Sequence, residues 1–385
     1  MGSFSMGLDR DQLQVVEWVH NFAEGALRPA AREWNERAET PWPVIEEAAR
    51  VGLYSFDFVA SCLADPTGIV FPLVNEEVAW GDAGMAMALF GSALAAVGIV
   101  AAGVPEQVAE WVPKCFGDNG RVRLAALCAS EPDTHGTWDE LRTRAVYDAR
   151  ADAWTIRGTK AWIANGGTPG VHVVLASVEP ELGAFGQASF VVPPGTPGLS
   201  VGRVLAEPGV AAASLAEVLL DDVKVPGACL LGGKDVFDER IALGREGNAS
   251  GRSVSTATLE ATSPLVAAQA VGVARAAYQH ALACTPGPVK GRNRPGSGEA
   301  AALALDNMKA HVDAARLLYM RAAWMSMTGA PSTAGEGARS KLFASETATF
   351  VTAKAIEVLG DSRDESNGVL ERWSSAAKAY GLFHT

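Results

Sequence analysis

The sequence contains no CxxC pair. Its five cysteines, Cys62, Cys115, Cys128, Cys229 and Cys284, are odd in number and widely scattered. That excludes a disulfide framework and a cysteine-based zinc site, and leaves small buried thiols as the reading. No run rich in lysine or arginine occurs, and the formal net charge is −12. Nucleic-acid binding calls for a basic face, so DNA and RNA are not expected partners. The first residues, Met1 to Met6, lack a basic segment followed by an apolar stretch. No export signal is therefore expected, and the expected location is the cytoplasm. His20, His172, His280 and His311 show no metal-ligand spacing. The longest apolar run, Met85–Gly103, has the length of a membrane span. It is rich in alanine and glycine and follows Glu76, Glu77 and Asp82, so it reads as a buried helix of a bundle, and no membrane association is expected.

What is present is a chain of 385 residues, enough for two or three domains with an ample core. Residues 9–116 read as helical. Leu13, Val16, Trp18, Val19 and Phe22 recur at roughly helical spacing, with Asp9 or Asp11 as the cap. Further helices are expected over Val44–Leu53, Leu73–Asp82 and Pro105–Phe116. Near Arg121 the pattern becomes short and strand-like, with candidate strands Val122–Cys128, Ala153–Arg157, Val171–Val178, Ala188–Val192 and Glu217–Leu220. They follow one another closely, with no helical pattern between them. That predicts an antiparallel barrel or sandwich rather than a Rossmann sheet. Helical periodicity returns after about Val236, with long candidates Ser263–Cys284, Glu299–Met327, Ala334–Leu359 and Gly368–Leu382. The expected fold class is thus α+β: an N-terminal helical domain (1–120), a middle β-domain (121–230) and a C-terminal four-helix bundle (231–385).

Four local motifs in this order carry a family resemblance. Cys128-Ala129-Ser130-Glu131-Pro132, followed by Leu141-Arg142-Thr143-Arg144-Ala145, resembles a T-E-P…G-S-D…T-x-A segment. Gly158-Thr159-Lys160-Ala161-Trp162-Ile163-Ala164-Asn165-Gly166 resembles G-x-K-x-W-I-T-N-G. Residues 267–277 resemble an A-A-x-A-x-G-x-A-x-A-A helix, and Ala355-Ile356-Glu357-Val358-Leu359-Gly360 resembles A-I-Q-x-L-G-G. All four are motifs of the acyl-CoA dehydrogenase superfamily, and the resemblance covers essentially the whole chain.

The resemblance implies FAD held between the β-domain and the C-terminal helices, by residues Cys128, Ala129, Ser130, Gly136, Trp162, Ala164, Glu357 and Gly360. A flavin needs donors near its ring and an apolar wall. Ser130 stands at the position of the family's threonine beside the flavin, and Trp162 at that of the tryptophan near the isoalloxazine. An ordinary core aromatic is the alternative for Trp162. Ala164 replaces a threonine hydroxyl donor. Glu357 and Asp361 replace a glutamine and a glycine near the adenine side. Lys290, Arg292 and Arg294 occupy the loop where the family has its R-x-x-F-G phosphate contact; they read either as phosphate-binding charges or as a solvated loop.

The family's catalytic base is a glutamate, at one of two positions. Here those positions hold His384 and a residue near Thr262, with Glu260 two places earlier, so neither has a carboxylate. His384 and His135 are the candidate bases, since imidazole titrates near neutrality. The resemblance stops at Thr385, before the family's last helix. The leading expectation is an FAD-dependent oxidoreductase acting on an acyl thioester, of CoA or of a carrier protein. A flavin-dependent monooxygenase of the same fold, and a flavin-free enzyme or a subunit of a heteromer with an active paralogue, are the alternatives. A homodimer or homotetramer is implied by resemblance.

Overall fold

The computed structural model describes residues 7–118, 120–132, 140–168, 170–247, 253–285, 297–329, 335–360 and 366–382. Its first part is helical. Helix α1 (Arg10–Phe22) starts at a capping box: Gln12 donates its backbone N–H to the Asp9 carboxylate, and the Gln12 side chain accepts from the Asp9 backbone. A π-helical stretch (Ala23–Leu27) joins it to α2 (Arg28–Arg37). There follow α3 (Trp42–Arg50), α4 (Phe56–Leu63), α5 (Val70–Gly81), α6 (Ala83–Ala102) and α7 (Pro105–Trp111). The apolar run is α6. It is long and apolar enough to cross a membrane, yet 78% of its most apolar window is buried inside the protein. Asp82 accepts from the Met85 backbone N–H at 2.9 Å and so caps α6.

The middle part is a sheet. β1 (Gly117–Asp118) and β2 (Arg121–Val122) form a small antiparallel pair. The large sheet has seven strands: β3 (Ala126–Cys128), β4 (Arg144–Asp148), β5 (Ala153–Ile163), β6 (His172–Ser177), β7 (Gln187–Val192), β8 (Leu199–Leu205) and β9 (Leu215–Pro226). Strand β7 runs antiparallel along β6, while β3 and β4 meet β6 in parallel. The β4–β5, β5–β9 and β8–β9 pairings are antiparallel. The expected strand Val122–Cys128 is in fact two pieces that belong to different sheets. Trp154, Phe190, Val218, Val223 and Phe237 fill the core on one face of the sheet.

The last part is α8 (Lys234–Arg245), α9 (Val254–Cys284), α10 (Ser297–Thr328), α11 (Glu336–Leu359) and α12 (Ser366–Leu382). Helix α9 starts nine residues earlier than the sequence pattern suggested, at a cap in which Ser253 Oγ accepts from Thr256 N–H, and it carries Pro264 in its interior. It crosses α5 closely at Gly272: a β-carbon there would lie 2.3 Å from the Glu76 carbonyl oxygen.

The N- and C-terminal helices are also joined by charge. Glu76 is fully buried. Arg275 Nε lies 2.9 Å from its carboxylate, Arg316 Nε donates to it at 2.9 Å, and the Tyr319 hydroxyl donates at 2.5 Å. Burial alone would raise the Glu76 carboxyl, but Arg275, Arg316 and the Tyr319 hydroxyl outweigh it and hold it below the ordinary carboxylate range. Arg275 reaches on to Glu77 at 2.6 Å, and Glu77 also meets His20. The result is one helical body built from α1, α5, α9 and α10, with the sheet beside it.

Candidate functional site

The site is a cleft where the edge of the sheet meets α6, α9, α11 and α12. Its space is about 720 Å³, counting the solvent at its mouth. Three devices bring its walls together. The first is a buried ion pair: Lys160 on β5 donates to Glu131 at 2.8 Å and to the Ala129 carbonyl at 3.0 Å. Glu131 also accepts the backbone N–H groups of Arg142 at 2.7 Å and Thr143 at 3.0 Å. Burial pushes its carboxyl up, but Lys160 and these donors bring it below its ordinary value. The Ser130 carbonyl accepts the Ala161 N–H at 3.0 Å, so the 129–131 segment is held on both sides.

The second is a β-bulge. The β5–β9 register shifts between Lys160 and Ile163, and Trp162 within that shift has φ of 62°. A bulky side chain in the left-handed region is strained, and bulges re-aim side chains beside functional sites. Here the bulge turns the half-buried indole to the cleft wall.

The third is Asn165, which is fully buried and also left-handed, with φ of 61°. Its Nδ2 donates to the Ala88 carbonyl at 2.9 Å and to the Ala125 carbonyl at 3.2 Å, tying the end of β5 to α6. Gly91 makes room for this: a β-carbon there would sit 2.7 Å from Asn165 Nδ2.

The cleft wall is apolar along α6 (Met87, Gly91, Leu94) and along α9 (Leu259, Val266), with Leu127 from β3. Ser130, Trp162 and Ala164 share that wall. The Ser130 hydroxyl has no hydrogen-bond partner among the described residues, so it is available to a ligand. Thr262, Ser263, Gln269, Lys341 and Tyr380 are the cleft's further polar lining. The Tyr380 hydroxyl donates to Gln269 Oε1 at 3.1 Å, Gln269 Nε2 to Asn75 Oδ1 at 2.9 Å, and Asn75 Nδ2 to the Phe71 carbonyl at 2.9 Å. Thr262 spends its hydroxyl proton on the Thr258 carbonyl. No carboxylate lines the cleft among the described residues.

The expected site residues divide. Ser130, Trp162 and Ala164 come together on the cleft. Cys128 is in the sheet core, where burial pushes its thiol up to about 12. Ala129 contributes the carbonyl that receives Lys160. Glu357 is exposed on α11 and paired with Lys354 at 2.6 Å, and Gly360 ends that helix with φ of 62°; neither lines the cleft. His135, Gly136, Lys290, Arg292, Arg294, Asp361 and His384 lie outside the described residues. Lys341, Gln269 and Tyr380 were not anticipated. For Lys341 a signal existed: it stands in helical register with Ala344, Ala348, Val351 and Ala355, all of them fully buried.

The donor set suits a flavin ring. An indole and an aliphatic wall would cover its faces, and the unpartnered Ser130 hydroxyl would meet a polar edge.

Residues 9–117, 126–223 and 249–384 match, in turn, the N-terminal, middle and C-terminal domains of acyl-CoA dehydrogenase. The probable acyl-CoA dehydrogenase FadE25 of Mycobacterium tuberculosis (strain ATCC 25618 / H37Rv) is 29% identical, over 99% of this chain and 92% of that protein. The acryloyl-CoA reductase (NADH) of Anaerotignum propionicum is 28% identical, over 100% of this chain and 93% of its own. Butyryl-CoA dehydrogenase from Megasphaera elsdenii has the same fold, with a TM-score of 0.83 and 25% identity over 99% of this chain and 96% of that one. Together these matches span the helical, sheet and helical parts in the order found here, and the chain belongs to the acyl-CoA dehydrogenase family.

Proposed function

We propose that this chain is an FAD-dependent oxidoreductase acting on the acyl part of a thioester, carried by CoA or by a carrier protein. The cofactor is FAD, in keeping with the family. The observation that carries the reading is the cleft itself: a Ser130 hydroxyl without a partner among the described residues and a bulge-directed Trp162 share it with an apolar wall from α6 and α9. Bound FAD would supply the two-electron acceptor. Ser130 would donate to its polar edge, and Trp162 would cover the ring. Met87, Leu94, Leu259 and Val266 would take the acyl chain and exclude water from it. His384 and His135 are retained from the sequence as candidate bases. A homo-oligomer built through the C-terminal helices fits Leu303, Leu317, Leu342 and Ile356, which leave apolar surface exposed on α10 and α11.

The test is the visible absorption spectrum of the purified protein before and after addition of FAD, followed by anaerobic titration with acyl-CoA esters of increasing chain length. Near-stoichiometric flavin that bleaches with one of the esters is expected. A colourless protein that cannot be reconstituted overturns the reading.

A further inference from the structure

The cleft contains one basic nitrogen among its described lining residues, the ammonium of Lys341 on α11. Lys341 is 6% exposed, and its Nζ has no hydrogen-bond or ion-pair partner among the described residues. A buried charge is normally paired, because desolvation without a partner is costly. This one instead faces a largely apolar cavity.

Among the described residues that line the cleft with it, none carries a charge, and helix α10, which also packs on α11, contributes none of them. Helix α9 presents Thr262, Ser263, Val266 and Gln269, helix α6 presents Met87 and Gly91, and strand β5 presents Trp162. Helix α12 presents Tyr380, whose hydroxyl is held in its neutral form by burial first and then by Asp82. Asp82, at the cap of α6, and Glu260, one turn before Ser263 on α9, do not line the cleft. The Ser263 hydroxyl is buried without a partner among the described residues.

On the proposed substrate reading, we propose that Lys341 is the catalytic base of this chain, taking the α-proton of the bound acyl thioester. The amine form of Lys341 accepts the proton. The Cα–H bond breaks, an N–H bond forms, and the electron pair left at Cα passes into the thioester carbonyl as an enolate. The ammonium so formed then has an anionic partner in the enolate oxygen. Burial alone brings the Lys341 ammonium down to about 7, so much of it is the free amine at neutral pH. A lysine with its usual value would hold almost none.

The test is exchange of the α-hydrogens of butyryl-CoA in deuterated buffer, followed by mass spectrometry on the holoenzyme. It needs no net oxidation. Lys341→Met and Lys341→Arg are compared with the unaltered chain, with thioester binding measured by equilibrium dialysis in each. Both variants are expected to bind butyryl-CoA and to lose exchange by at least about a hundredfold. The unaltered rate should rise with pH and level off above about 7. An arginine variant that exchanges normally overturns the proposal, since arginine keeps the charge and cannot act as a base. A methionine variant that exchanges normally overturns it too, as does exchange lost in His384→Gln but kept in Lys341→Met. A chain that binds butyryl-CoA but exchanges nothing overturns the base while leaving the substrate reading standing. A chain that binds no acyl thioester overturns that reading, and the proton step with it.

Discussion

Lys160 and Glu131 meet at 2.8 Å with their side chains 0% and 2% exposed, and this pair fixes the position of Ser130. Breaking one half of such a pair leaves a charge buried alone, which costs about 3–5 kcal/mol. Lys160→Met should therefore destabilise the chain by that order in urea unfolding. It should also free the 129–131 segment and weaken FAD retention. A variant that unfolds at the same urea concentration would show that the pair contributes little. With Glu131 held below its ordinary value, the pair's stabilisation is present at neutral pH and is lost as pH falls through that depressed value.

Glu76 is the larger junction. It binds Arg275 and Arg316 from two C-terminal helices, and Tyr319 as well. Glu76→Gln keeps the shape and removes the charge, leaving two guanidinium groups facing each other. A loss of about 3–5 kcal/mol is expected. Loss of cooperativity between the α5 and α9 amides in hydrogen exchange should accompany it. Unchanged protection of both helices would count against this junction as the tie between them.

Much of the fold was legible in the sequence because helices and buried strands repeat at different periods. The alternation failed where burial did not alternate cleanly. Strand β8 (Leu199–Leu205) has a mostly exposed or half-buried face until Leu205, and it escaped detection. The start of α9 was misplaced because Pro264 reads as a helix start, whereas the helix begins at Ser253 and runs through it. At the site, Ser130 and Trp162 were legible from local motifs. The direction of Trp162 was not, since it depends on a bulge against β9 far away in sequence. Lys341 was overlooked because no motif marks it; only its place on the buried face of α11 does.

Trp162 allows a test of whether strain serves the site. Its left-handed backbone costs roughly 1–2 kcal/mol, a cost that glycine would remove. Trp162→Gly should lose part of the packing of a half-buried indole and regain the strain, so that net stability changes by only about 1 kcal/mol. FAD affinity should fall by roughly fivefold, as read by fluorescence titration, since a stacked aromatic contact is worth about 1 kcal/mol. A large loss of stability with unchanged flavin binding would make Trp162 an ordinary core residue.

Asp82 caps α6 from a fully buried position, and burial raises its carboxyl from 3.8 to about 6. The folded chain then holds a proton that the unfolded chain has released between those values. Stability from this group falls as pH rises from about 4 to about 6 and stays low above it. Asparagine caps as well as aspartate does and carries no charge. Asp82→Asn should raise stability by roughly 1–3 kcal/mol at pH 7, and by almost nothing below pH 4. A variant less stable at pH 7 would show that the carboxylate's attraction to Arg372 matters more than its burial.

The last prediction sets the stability of Lys341 against its proposed use. Its ammonium is lowered from 10.5 to about 7 by burial. That corresponds to roughly 4–5 kcal/mol against the charged form. Between those values the unfolded chain binds a proton that the folded chain does not, so stability rises with pH across the window and is lowest below pH 7. Lys341→Met, nearly equal in length and apolar, should fit the cleft and recover roughly 2–4 kcal/mol below pH 7, the gain shrinking to nothing above pH 10. Thermal unfolding of both proteins across that range would measure it. A stabilised variant that no longer exchanges the substrate's α-hydrogen would show that the chain tolerates an unpaired amine because its chemistry needs one. A variant destabilised at every pH would show instead that Lys341 holds the helices together.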